Sequence, residues 1–372
     1  MILSLAIKDL FADRLKFIAT LVGVAFSVML MAGQTAIFLG ACRDITIMID
    51  RSRADLWIMP QGSPSFEEAL PLLTQFERQS ALVTRGVKQV TSLVTCFSNW
   101  LQPSGESNII VLIGSEPGSA GPQPFDSPVI GQEGGASVDI DRGYLDVLGV
   151  SGIGATAAVD GRQVRISALS EGIRSFTHSP YVFAKPNQAR KFLGLPADAS
   201  TFLLVDIDNL SNPEEVRSKL KERMPDVDIL TTQEFRTRSI NRWLYQTGAG
   251  QALVIGTILG ALIGAAIIAQ NINMSVEDHI HEFAVLRAIG AAKGYLQSIV
   301  LIQVLVMTGI GTIVGLGTIL CLVPLSERSP LLLTVSASQL TLVVVATLGI
   351  GLLSSIVALN KVRNVDPVDL LK

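Results

Sequence analysis

Charge is what this chain has least of, and the shortage is local. Asp, Glu, Lys and Arg make up 16% of its 372 residues, against about 25% in an average globular domain. None of the four occurs from Phe17 to Cys42, Trp243 to Val276, Gly294 to Ser326 or Ser329 to Asn360. Each run exceeds the ~20 apolar residues that cross a ~30 Å hydrocarbon layer. Buried helices of soluble proteins carry apolar stretches nearer ~10–14 residues. Four runs of this length therefore favour membrane spans over a soluble core, and the positive mean hydropathy of +0.47 agrees.

Residues that carry chemistry are also scarce. The three histidines are His178, His279 and His281. In "DHIHE" the H-x-H spacing puts two rings on different helix faces without a third ligand at metal spacing. "HEFAV" lacks the second histidine of H-E-x-x-H, and no G-x-S-x-G elbow occurs. No G-x-x-x-x-G-K-[ST] loop is present, so the chain is not itself a P-loop ATPase. No catalytic residue, metal site or bound cofactor is expected. The neighbours Glu67 and Glu68 have the pattern of a solvated helix start. Three widely spaced cysteines, Cys42, Cys96 and Cys321, imply no disulfide framework. A formal net charge of −3 without a basic cluster leaves no nucleic-acid footprint.

The spans lack ionisable groups. Gln34, Gln270, Asn271, Asn273 and Gln303 are among the amides there. Ion-driven transporters mark their pathway with intramembrane charge, so a transporter built this way takes its energy from outside the membrane.

What is present has a clear order. Residues 1–16 put Leu3, Ile7, Leu10 and Phe11 on one helical face, as an interfacial helix does. Transmembrane helices are expected at 17–42, 244–276, 295–325 and 337–360. A soluble domain at 43–243 is inserted between the first two. A short charged helix at 277–294, a loop at 326–336 and a tail at 361–372 complete the chain. The first run, about 25 residues, is too long for the 7–15-residue core of a cleaved signal peptide. Short-loop Lys and Arg orient the whole: Lys8, Arg14 and Lys16, then Arg287 and Lys293, then Lys361, Arg363 and Lys372. By the positive-inside rule both termini and 277–294 face the cytoplasm. The fold expected is an α-helical integral membrane protein with four transmembrane helices and an extracytoplasmic mixed α/β domain.

In that domain "ADLWIMP", "NIIVLIG" and "TFLLVDI" have the pattern of strands. Next, Asn212 is placed as N-cap, Pro213 at the first helical position and Glu214 and Glu215 in the first turn. The strand "VDIL" follows, giving a strand–helix–strand ending. The stretch "GSEPGSAGPQPFDSPVIGQEGG" is expected as a loop. In the second span Gly256, Gly260 and Gly264 recur every fourth residue, spacing that lets a neighbouring helix approach closely.

With this topology, "HEFAVLRAIGAAKGYLQSIVLIQVL" resembles the E-x-x-V-L-R-A-I-G-A signature of FtsX-like permeases, the membrane subunits of MacB-type ABC transporters. "AIKDLFADRLKFIATLVGVAFSVML" is similar to the N-terminal helix and first span of that family. "ALNKVRNVDPVDLLK", with Asp366 and Pro367, resembles its closing segment. The subgroup resembled is the DevC-like permeases, which lack a fused ATPase. The resemblance implies that Glu282, Val285, Leu286, Arg287, Ala288, Ile289 and Gly290 form a coupling helix docked on a cytoplasmic ABC ATPase. Ile280, Phe283, Leu286 and Ile289 would supply an apolar stripe for that docking. It further implies ATP and Mg on the partner ATPase and a second permease copy as homodimer or heterodimer. A periplasmic adaptor and the lipid of a bacterial inner membrane complete the partners. The activity implied is outward transport of a lipid, lipoprotein, peptide or drug-like substrate. The alternative is an FtsX-type regulator that signals to an external partner without transport. Two departures stand out: Gln303 occupies a position often acidic in the family, and a proline common near the last arginines is missing.

Overall fold

The structure is a computed structural model that describes residues 14–116, 118–124, 136–280, 282, 285–286, 289–326 and 333–363, with backbone alone for Lys293 and 357–363. In chain order the elements are α1 (Arg14–Asp50), β1 (Leu56–Pro60), α2 (Gln75–Leu82), β2 (Val87–Leu101), β3 (Ser107–Gly114) and β4 (Ser137–Asp141). Then come β5 (Thr156–Val159), β6 (Arg162–Ser170), β7 (Tyr181–Ala184), α3 (Pro186–Phe192), β8 (Phe202–Ile207) and α4 (Pro213–Arg223). The last are β9 (Val227–Thr231), α5 (Thr232–Tyr245), α6 (Gly248–Asp278), α7 (Lys293–Ser326) and α8 (Ala337–Arg363). The chain forms two units, one of Met1–Gly40 with Ala252–Lys372, the other of Ala41–Gln251.

In the first unit α1, α6, α7 and α8 are each long and apolar enough to cross a membrane, and the chain is a multi-pass membrane protein. Small residues set how closely these helices approach. A Cβ on Gly264 would stand 2.5 Å from Met31 Cγ and 3.1 Å from the Ser27 carbonyl oxygen, and one on Gly260 would stand 2.6 Å from Gln34 Cγ. Gly256 is looser, 3.9 Å from Gln34 Oε1. On α7, Gly315 leaves only 2.6 Å to the Ala25 carbonyl oxygen, and Gly311 only 2.5 Å to Val24 Cγ1. Helix α1 thus passes glycine faces of both α6 and α7. Val24, Val28 and Ala32 of α1 pack with Ile319 of α7 and Val343 of α8. Gln339 of α8 donates to the Ala32 carbonyl at 3.1 Å and to Thr35 Oγ1 at 2.8 Å.

The described residues of the second unit form a nine-stranded sheet in the order β3-β7-β4-β6-β5-β2-β8-β1-β9, with β3 also paired to β2. That extra pairing closes six strands into a circuit. All six contribute apolar side chains to one cluster, among them Trp100, Leu112, Ile140, Val159, Ile166 and Val182. Strand β2 makes this possible by its length: residues 87–93 pair with β8, and 94–101 pair with β3. Beyond β2 lies the strand–helix–strand ending, β8–α4–β9, with β1 antiparallel between its two strands. Helices α2 and α4 cover one face of this sheet through Ala81, Val216 and Leu220. On the other face Trp57, Phe66, Phe202 and Phe235 pack with Ile47 and Ile49 from the end of α1.

The α4 start has the expected form: Asn212 Oδ1 accepts the Glu214 amide at 3.0 Å, and Pro213 stands at the first position. The charge-free run that starts at Trp243 is divided, because α5 ends at Tyr245 and α6 begins at Gly248.

Candidate functional site

Helix α5 joins the β-sheet unit to α6, and its sequence anchors it at both ends. At its start Thr231 and Glu234 form a capping box, each satisfying an amide that the first turn leaves bare. Thr232 Oγ1 donates to the Ala54 carbonyl at 2.6 Å and accepts from Trp57 Nε1 at 3.2 Å. One turn apart on its face, Arg238 and Arg242 reach carboxylates. Arg238 Nη1 lies 2.5 Å from Asp228 Oδ2, and Arg242 makes a two-pronged pair with Glu68 at 2.8 and 2.6 Å. An open cavity of about 560 Å³ runs along this face, lined by Pro64, Leu230, Glu234, Arg238, Asn241 and Arg242 among others. Both of its arginines are already held by carboxylates, so it offers no ready anion site.

Glu67 and Glu68 lie in a turn, not at the start of a solvated helix. Glu67 is 5% exposed. Its Oε1 accepts from Ser175 Oγ and Tyr181 Oη, both at 2.5 Å, and its Oε2 from Thr177 Oγ1 at 2.9 Å. Burial pushes the Glu67 carboxyl above its ordinary range, against those three hydroxyl bonds, and the neighbouring Glu68 charge adds to the rise. Glu68 goes the other way, lowered by its hydrogen bond from Arg242. Two adjacent glutamates read locally as a helix start. The partners that define them lie over a hundred residues away, which local patterning does not show.

Between α5 and α6 the chain turns tightly. A Cβ on Gly250 would stand 1.9 Å from the Trp243 carbonyl oxygen and 2.6 Å from Leu244 Cα. Thr247 Oγ1 donates to that Trp243 carbonyl at 2.6 Å and accepts the Gly250 amide at 3.2 Å. Only a residue without a side chain fits this passage.

In the segment after α6, Phe283, Arg287 and Ala288 lie outside the described residues, as do Asp366 and Pro367 of the closing segment. Glu282 is helical and exposed. Val285 and Ile289 are 45% and 80% exposed. Leu286 instead packs against the cluster of Val276, Leu296 and Val300 in the membrane unit. The stripe expected through Leu286 therefore divides, with Leu286 turned inward and Val285 and Ile289 outward. Gly290, at φ +100°, ends this helix, and the Ala291 amide bonds back to the Leu286 carbonyl at 3.0 Å, as in a Schellman cap. His281 of "DHIHE" is outside the described residues, and His279 Nδ1 lies 2.7 Å from the Ser275 carbonyl oxygen. Among the described residues no three His, Cys, Asp or Glu side chains converge on a metal-sized site.

Residues 254–367, from within α6 through the last helix, match the family model described as FtsX-like permease C-terminal. This segment is similar to the C-terminal part of FtsX-like permeases. It contains the charged helix, the Gly290 cap and the glycine faces of α6 and α7. No curated protein matches the chain. Among solved structures, the periplasmic region of MacB from Actinobacillus actinomycetemcomitans is similar at 13% identity and a TM-score of 0.37, covering 51% of this chain and 94% of that one. The extracellular domain of the ABC-type transporter YknZ from Gram-positive bacteria is similar at 15% identity and a TM-score of 0.34, covering 48% of this chain and 99% of that one.

Proposed function

We propose that the chain is the membrane permease subunit of an ABC-type exporter, moving a lipid, lipoprotein, peptide or drug-like substrate outward. The observation that carries this reading is the FtsX-like domain at 254–367, which encloses a charged helix between two apolar ones. In this reading that helix docks on a cytoplasmic ABC ATPase, which binds ATP and Mg, and no catalytic step belongs to this chain. Val285 and Ile289 are its outward apolar contacts. The Lys and Arg pattern supports both termini inside and the β-sheet unit outside a bacterial inner membrane. A second permease copy and a periplasmic adaptor complete the assembly. Reporters fused at Gly118 and Gly290 test the orientation, and are expected outside and inside respectively.

The mechanical path of this reading runs through α5. ATP-driven movement of α6 reaches the β-sheet unit by way of the Gly250 turn, the Glu68–Arg242 pair and the Thr231 cap. The test is ATP hydrolysis by the partner ATPase in nanodiscs containing the permease. Ile289→Asp is expected to lower the stimulated rate, and equal rates for the variant and the parent would contradict the docking. The FtsX-like domain also supports a regulator that transports nothing. That reading predicts normal ATP hydrolysis with no substrate gained by the outer medium.

A further inference from the structure

Between β6 and β7 the chain runs through an irregular strap, residues 171–180. Gly172 has φ +75°, and His178 holds φ +62°, a left-handed conformation that costs a non-glycine residue energy. Something must therefore hold the strap in place. Side chains take part in this: at the start of the strap Glu171 pairs with Arg142 at 3.2 Å, and the Ile173 amide donates to Asp141 Oδ2 at 2.9 Å. Ser175 and Thr177 donate to Glu67, and the Phe176 ring lies 5.6 Å from that of Trp243 in the last turn of α5.

The Glu67 contact is electrically lopsided. Its carboxyl is almost wholly buried, and its hydrogen-bond partners are the hydroxyls of Ser175, Thr177 and Tyr181. None of these carries positive charge. An ionised carboxylate without a paired cation is costly to bury, whereas a protonated one both donates and accepts in a ring of hydroxyls. The charged and titratable groups around it sharpen the point. Glu68, on the same turn, is negative and spends its charge on Arg242 of α5. Tyr181 of β7, its phenol pushed well above the ordinary range by burial, stands on its other side. Behind it lies Tyr144, whose Oη accepts the Ser175 amide at 3.3 Å, with Arg174, Asp141 and Asp44 around it. On the strap itself, the side chain of His178 is exposed.

We propose that Glu67 is a proton-operated latch: with its carboxyl protonated the strap is fastened to the sheet and to Trp243 at the foot of α5, and loss of that proton frees it. The sign is fixed by the direction of Glu67's displacement. A carboxyl raised by burial gives its full stabilisation at low pH and loses it as pH rises through the folded-state value. The strap is thus tight in acid and loosens toward alkaline pH. This inference does not depend on the exporter reading, because it concerns contacts within the β-sheet unit alone.

The test is hydrogen exchange of peptides covering 171–180 in the full chain in nanodiscs, corrected for intrinsic rates, from about pH 5 to about pH 9. Protection is expected to fall at least about tenfold with rising pH in the parent and in His178→Asn, and to stay high throughout in Glu67→Gln. A flat parent profile, or the same fall in Glu67→Gln, overturns the latch. Should Glu67→Gln not fold, Tyr181→Phe decides. Removing one donor to the carboxylate is expected to move the transition to higher pH, and an unmoved midpoint overturns the proposal.

Discussion

Arg242 and Glu68 meet edge to edge, Nε to Oε2 at 2.8 Å and Nη2 to Oε1 at 2.6 Å, across 174 residues of sequence. The planar fork of the guanidinium matches both carboxylate oxygens, which a lysine does not do. The pair ties the turn after β1 to the last turn of α5.

Arg242→Ala, and to a smaller extent Arg242→Lys, is expected to lower the melting temperature of the β-sheet unit. The hydrogen bond from Arg242 holds the Glu68 carboxyl below its ordinary range. Its stabilisation is therefore present above that range and lost as pH falls through the folded-state value. The difference in melting temperature between parent and variant should be largest near neutrality and shrink toward about pH 3. A difference that stays constant with pH would count against the pair.

Phe202 is fully buried, with ring centroids 5.4 Å from Trp57 and 5.5 Å from both Phe66 and Phe235. Truncation leaves a cavity among rings that cannot all collapse into it. Phe202→Ala is expected to cost about 3–5 kcal/mol, measured by urea unfolding. A loss under about 1 kcal/mol would show that the cluster repacks.

Gly248 and Gly250 both lie in the first turn of α6, yet they should respond in opposite senses. A Cβ at Gly248 meets nothing within 4 Å, so Gly248→Ala should be neutral or gain up to about 1 kcal/mol of helix propensity. At Gly250 the same methyl collides with the Trp243 carbonyl, and Gly250→Ala should destabilise or displace the turn. Equal melting temperatures for the two variants would exclude this account of the junction.

A similar contrast applies within the membrane unit. Gly315→Ala drives a methyl toward the Ala25 carbonyl oxygen, whereas Gly317 faces open space. Resistance to unfolding by dodecyl sulfate should drop for the first and hold for the second.

Much of this architecture is visible in the sequence, for identifiable reasons. The apolar runs are long enough to overwhelm any competing reading. Strands β1, β3, β8 and β9 and the Asn212 cap follow from short-range pattern. Strands β4 to β7 are less evident because they are short or interrupted by polar residues such as Asp139 and Asp141, which the fold buries. The pair Asp160 and Gly161 between β5 and β6, both at positive φ, is a hairpin signal of the kind that would have revealed two of them. Glu67 and Glu68 are hidden for a deeper reason, since their roles arise from β7, the strap and α5. Leu286 shows the same limit. Helical spacing puts it in line with Ile289, but the end of the helix at Gly290 and the packing of α7 turn it inward.

The most direct test of the exporter reading is co-purification from detergent of the full chain, as the parent protein and as Val285→Asp and Ile289→Asp, with identification of the proteins that accompany it. The account predicts a soluble ABC ATPase with the parent that is lost from both variants while their folding is unchanged. Recovery of no ATPase with the parent, or equal recovery with all three, would contradict it.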